Sequence, residues 1–189
     1  MLPNAPPDIQ DLFAQLDAAE RDAEALVAGL SPEQGVRRPP NGGWCVSECL
    51  DHLAIGNRVY LVPLRDAAQR ARSRGRIRRG PAEPGLIGSF FIWSFEPPAR
   101  WWYKLPMPRQ ISPRVSPPLS DALASFVASQ ADLRTFLAES SDLDLAGTRF
   151  VNPFVPGIRF SLATGLHLIA SHERRHLWQA WRVRRGLAR

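Results

Sequence analysis

The chain has 189 residues, 44% of them hydrophobic and 22% charged, with a formal net charge of +6. That hydrophobic share is too high for a disordered chain, and no apolar run approaches the roughly 18 residues a membrane-spanning helix needs. The length suits one domain over residues 1–189. The opening MLPNAPPDIQ has neither the basic start nor the apolar core of a secretory signal, so the expected location is cytoplasmic.

Residues 1–7 are proline-rich and expected to be loose. Asp8 is placed to cap a first helix, whose apolar positions Ile9, Leu12, Phe13, Leu16, Ala19, Ala23 and Leu26 recur at helical spacing. Gly29 and Ser31-Pro32 end it. The connector over residues 31–43 collects Pro32, Pro39, Pro40 and Asn41-Gly42-Gly43, all breaker signals. Trp44 then stands as a hydrophobic lid where a second helix opens near Cys45. Glu48 occupies the acidic position of a capping box, but cysteine stands where Ser or Thr is usual, so at best half of that box is expected. The second helix carries Val46, Cys49, Leu50, Leu53, Asn57, Tyr60, Leu61 and Leu64, with His52 on the flank of this arc. Pro63 removes a backbone donor and predicts a kink. Cys45 and Cys49 fit neither a disulfide nor a C-x-x-C motif and read as small buried residues.

Seven arginines fall within residues 65–79, in a chain whose single lysine is Lys104. Such a cluster suits a nucleic-acid surface, but no nucleic-acid motif accompanies it, and a solvated helix end is the plainer reading. Residues 80–118 follow as a crossover with nine prolines and the aromatics Phe90, Phe91, Trp93, Phe95, Trp101, Trp102 and Tyr103. So many aromatics predict a partly helical excursion, around residues 86–95, that packs over one end of the domain. A third helix begins near Leu119 with Leu123, Phe126, Val127, Leu133 and Leu137 on its buried face, and a fourth runs from about Ser161 to Arg185. No strand pattern is visible. The fold class expected is all-α: a four-helix bundle with a long aromatic and proline-rich crossover between helices two and three.

Histidine is scarce: His52, His167, His172 and His176 are all there are. His172 and His176 stand four residues apart, so both imidazoles share one helix face. The stripe of Leu162, Leu166, Ile169, Ala180 and Val183 turns that face inward. Alone, such a pair is more often a satisfied core pair than a ligand set. His52 supplies a third corner from a facing helix, with Gly56 leaving space beside it. Three neutral imidazoles with an open position suit Zn²⁺, Ni²⁺, Co²⁺ or Fe²⁺. His167 is five residues before His172, which rotates it away from that face.

Several short pieces, in order, resemble the DinB-like (DinB/YfiT-like) superfamily from about residue 8 to 185. They are Leu30-Ser31-Pro32-Glu33-Gln34, Arg38-Pro39, Trp44, Glu48, His52-Leu53, Glu96-Pro97-Pro98, and His172-Glu173-Arg174-Arg175-His176 with Gln179. The resemblance implies a four-helix bundle holding a divalent metal by His52, His172 and His176. It also implies an activity class that includes S-transfer with low-molecular-weight thiols such as bacillithiol, and mycothiol-dependent maleylpyruvate isomerisation. Cys45 departs from the Ser or Thr the family usually has there.

An open metal position serves either hydrolysis or thiol transfer to a small electrophile. Glu48 is a candidate general base or partner of a histidine, or else a first-turn carboxylate favoured by the helix dipole. Gln179, Tyr60 and Arg175 are candidate substrate contacts, with core packing or an ion pair as their plainer roles, and Asn57 accompanies Tyr60. Glu173 is expected to face a neighbouring helix. The partners expected are a small-molecule substrate and, as an open alternative, a second copy in a structural or dimerising metal bundle.

Overall fold

The computed structural model describes residues 5–40, 42–98, 109–155 and 157–187. Among them, four long helices form the bundle: α1 (Pro7–Val27), α3 (Val46–Ser73), α5 (Leu119–Ser140) and α6 (Leu162–Leu187). Two shorter helices, α2 (Pro32–Gly35) and α4 (Leu86–Phe95), lie in the connections. The helices α1 and α3 each pack against both α5 and α6, which fixes their order around the bundle. All seven apolar positions of the first stripe are buried.

Three local expectations need correction. Asp8 does not cap α1, which starts at Pro7 with Pro6 at the cap and no side-chain cap bond. Its carboxylate instead accepts from Arg78 at 2.7 and 2.8 Å and from the Ala82 amide at 2.7 Å, tying the chain after α3 back to α1. The capping box of α3 is complete: Glu48 accepts from the Cys45 amide at 3.0 Å, while the Cys45 side chain receives the Glu48 amide. Sulfur reaches far enough to replace the usual hydroxyl. Thirdly, the chain does contain strands. The segments β1 (Arg149–Val151) and β2 (Arg159–Ser161) pair antiparallel with Phe150 opposite Phe160. The connector over residues 31–43 also holds a helical turn, α2, which Ser31 and Gln34 close with a full capping box.

The helix α3 runs on through Pro63 to Ser73. The arginine-rich segment, which begins within α3, is partly tied to the protein itself: Arg72 meets the Glu139 carbonyl, Arg76 the Gly147 carbonyl at 3.2 Å, and Arg78 Asp8. The excursion predicted over residues 86–95 is α4, which packs along α6. Trp101, Trp102 and Tyr103 lie outside the described residues. No helix among the described residues is long and apolar enough to cross a membrane.

The buried apolar side chains form two clusters along the bundle. On α3, Leu53 belongs to one and Tyr60 to the other; on α6, Leu177 and Ile169 divide in the same way. On α6, His172 and His176 lie between Ile169 and Leu177; on α3, His52 lies next to Leu53.

Candidate metal centre and cavity

On α3, His52 faces α6, and its Nε2 lies 3.2 Å from Nε2 of His172. Two nitrogens bonded to one tetrahedral zinc at 2.0–2.1 Å would stand about 3.3 Å apart, so this spacing fits a shared ion. With His176 included, one ligand atom from each ring lies within 4.8 Å of the others. The ring centroids of the three pairs are 4.4 to 5.1 Å apart.

Second partners set where the protons sit. His52 Nδ1 is 2.7 Å from the Ile111 carbonyl, which can only accept, so Nδ1 carries the hydrogen and Nε2 the lone pair. His176 Nδ1 donates in the same way to Gln179 Oε1 at 3.1 Å, leaving Nε2 as its lone-pair nitrogen. Burial holds all three imidazoles below the usual histidine range. His172 is pushed down to about 3, with the neighbouring His52 and Arg175 adding to the effect. For His52 the Ile111 contact and Asp51 oppose burial without overcoming it. His176 is lowered further by His172, His52 and Arg175. Neutral rings with lone pairs turned to one point are what a divalent cation requires.

The cluster forms part of the wall of a cavity of about 740 Å³. Trp44 covers it from the start of α3, its ring 4.7 Å from His52 and 5.7 Å from His176. Phe91 and Phe95 of α4 line it from the crossover, while Phe154 and Phe160 line it from the strand segment.

Over residues 15–180 the chain matches the DinB superfamily. It belongs to that superfamily. No curated protein and no solved structure matches it.

Within this DinB bundle, Arg175, Gln179, Tyr60 and Asn57 all line the cavity, as do the three histidines. Arg175 donates towards the Ser94 carbonyl at 3.4 Å and stands 5.8 Å from the Phe95 ring centre. Glu48 is not among the lining residues. It is 1% exposed, and its oxygens accept from Arg38, from the Cys45 amide at 3.0 Å and from the Ser116 amide at 3.2 Å. Burial works against its ionisation, but these donors hold its carboxyl below the usual range. Glu173 points between helices, accepting from Asn57 at 2.8 Å and Gln130 at 2.6 Å. Complete burial pushes its carboxyl up to about 7 despite those bonds and the nearby Arg174 and Arg134. His167 stays out of the cluster, its Nε2 3.3 Å from the Ala82 carbonyl.

Two supports of the site carry little sequence signal. Asp51, beside His52 in the chain, is buried and takes Arg114 through its amide at 2.8 Å and its guanidinium at 2.6 and 3.0 Å. With the Glu48–Ser116 contact, this fastens the end of the crossover to α3 and so presents the Ile111 carbonyl to His52. The other is Asn152, a cavity residue that reaches Tyr60 across 92 positions.

Proposed function

We propose that His52, His172 and His176 hold one divalent metal ion with an open position towards the cavity, and that the protein performs a thiol-dependent S-transfer, or a hydrolysis, on a small electrophile. The observation that carries this is the convergence of lone-pair nitrogens, two with their protons fixed by Ile111 and Gln179, at the wall of a largely apolar cavity. The donor set fits Zn²⁺, Ni²⁺, Co²⁺ or Fe²⁺, since imidazole suits all four. Three protein ligands with an open place is the catalytic pattern, whereas structural zinc sites are closed by four. A bound divalent ion supplies Lewis acidity, which favours the anionic form of a thiol or water nucleophile at neutral pH.

The chain's own residues do the rest. Trp44, Phe91, Phe95 and Phe154 shed water and take the apolar body of a substrate. Arg175 brings positive charge to the same wall, suited to an acidic group on the substrate or the thiol. Gln179 keeps the His176 proton on Nδ1. Glu48 acts as a brace rather than a base, holding the 38–45 connector and the crossover end to α3.

Elemental analysis of the purified protein is the first test, with one equivalent of metal expected and its loss in His52→Ala and His172→Ala. In a cobalt-loaded sample, an added low-molecular-weight thiol is expected to change the visible spectrum. Metal retained by both variants removes the site. A spectrum indifferent to thiols leaves a closed, structural ion and removes the S-transfer reading.

A further inference from the structure

Tyr60 stands at the other end of the cavity from His52. It is eight residues further along α3, which is about 12 Å of helix rise. The residue is 3% exposed and its ring is held by Phe150 and Phe154, each with its centroid 5.4 Å away. Its hydroxyl has one partner among the described residues, Nδ2 of Asn152 at 3.2 Å. The direction of that bond is not free to reverse. Asn152 Oδ1 accepts two backbone amides, from Phe154 at 2.7 Å and Val155 at 3.2 Å, so the other arm of the amide must be the donating NH₂. Tyr60 therefore accepts from Asn152, and its own O–H hydrogen has no acceptor in the protein among the described residues.

A buried donor left unpaired costs about 1–3 kcal/mol, so native structures rarely keep one without use. Asn152 and Tyr60 both line the cavity, which is the space that hydrogen can address. Burial pushes the Tyr60 pKa up, so the group stays a neutral phenol and a donor throughout the physiological range. Asn57, one turn before it, is oriented the opposite way. Both of its N–H bonds point inward, to Ser129 Oγ at 3.1 Å and to Glu173 at 2.8 Å, so it offers the cavity only its oxygen. The donors at this end are the Tyr60 hydroxyl and the second Nδ2 hydrogen of Asn152, whose first is taken by Tyr60.

We propose that Tyr60 is the specificity-determining donor of the cavity, selecting electrophiles whose apolar body carries a carbonyl-type oxygen at the end remote from the histidines. This rests on the cavity being the substrate site. A site built to satisfy such a hydrogen bond rejects the analogue without the oxygen, because the donor is then left buried and unpaired.

The probes are 4-phenylbutan-2-one and butylbenzene, which differ by the ketone oxygen, titrated by calorimetry into the metal-bearing protein as purified. The ketone is expected to bind roughly tenfold more tightly to the native chain. In Tyr60→Phe that preference is expected to vanish through weaker ketone binding, while butylbenzene keeps its affinity within about twofold, which also reports an intact cavity. Equal affinities in the native chain, no binding of either probe, or a preference that survives Tyr60→Phe each overturn the proposal. The native-chain comparison stands even if the variant does not fold. Metal content of His52→Ala and His172→Ala, measured in parallel, keeps the readings apart: metal retained in both removes the metal site and leaves the Tyr60 result standing.

Discussion

His52 Nδ1 lies 2.7 Å from the carbonyl oxygen of Ile111, a contact between residues 59 positions apart that joins α3 to the end of the crossover. Because a carbonyl only accepts, this bond decides which nitrogen of His52 faces His172. Gln179 does the same for His176 from one turn along α6. Partners of this kind typically change metal affinity about 10–100-fold when removed. Gln179→Met keeps the length of the side chain and removes the acceptor. It is expected to weaken metal binding within that range in a chelator competition, with no change in urea midpoint for the metal-free protein. Unchanged affinity would mean that the Gln179 contact does not set the His176 proton.

Glu48 separates a bracing role from a chemical one. Its carboxylate gathers Arg38, the Cys45 amide and the Ser116 amide. Glu48→Gln keeps the shape and loses the charge, so about 1–2 kcal/mol of stability should go, the half-exposed Arg38 limiting the loss. Metal content and the spectral response of the cobalt form to thiols should both persist. A variant of native stability that has lost turnover would return Glu48 to the role of base.

Asp8 supplies the pH dependence. Burial raises its pKa, but Arg78 and the Ala82 amide more than offset this and hold the carboxyl below its ordinary value of 3.8. The folded state therefore binds that proton less readily than the unfolded chain does. The resulting stabilisation is fully present above about pH 4 and fades as pH falls through the lower, folded value. Asp8→Asn is expected to cost about 1–2 kcal/mol at pH 7 by urea unfolding, and the gap to the native chain should shrink as pH drops below about 4. A constant gap from pH 7 to pH 3 would show that the loss comes from shape rather than charge.

The long helices are legible in the sequence because apolar side chains at helical spacing need no knowledge of the partner. The first stripe, from Ile9 to Leu26, is wholly buried, and the inward face of His172 and His176 follows from the same periodicity. Non-local and backbone contacts leave no such trace. The pair Phe150–Phe160 sits in strands of three residues, too short to show alternation. Ile111 acts on His52 through its carbonyl, which every residue possesses. Cys45 completes a capping box that residue statistics reserve for hydroxyls, because its sulfur has the reach. Asp8 had the right residue type for a cap, but an arginine and an amide from beyond α3 compete for its carboxylate and win it.

Two helical glycines predict opposite outcomes for one substitution. Glycine inside a helix costs roughly 0.5–1 kcal/mol relative to alanine, so Gly→Ala gains that much wherever the methyl fits. At Gly56 the nearest atom to an added Cβ is His172 Cε1 at 3.7 Å, an ordinary contact, and Gly56→Ala should be more stable. At Gly165 the added Cβ would lie 2.9 Å from Leu64 Cδ2 and from two ring atoms of Phe150, both fully buried. Phe150 cannot yield freely, because its ring packs against Tyr60 with centroids 5.4 Å apart. Overpacking there should exceed the helical gain, and Gly165→Ala is expected to lose about 1–2 kcal/mol net. The two variants also differ at the site. Gly56→Ala narrows the cavity beside His172 and should weaken 4-phenylbutan-2-one and butylbenzene alike while retaining metal. Gly165→Ala, acting through Phe150 on Tyr60, should weaken the ketone more than the hydrocarbon. Urea midpoints that move in the same direction for both variants would refute the packing described around α6, and calorimetry with the two probes checks the rest.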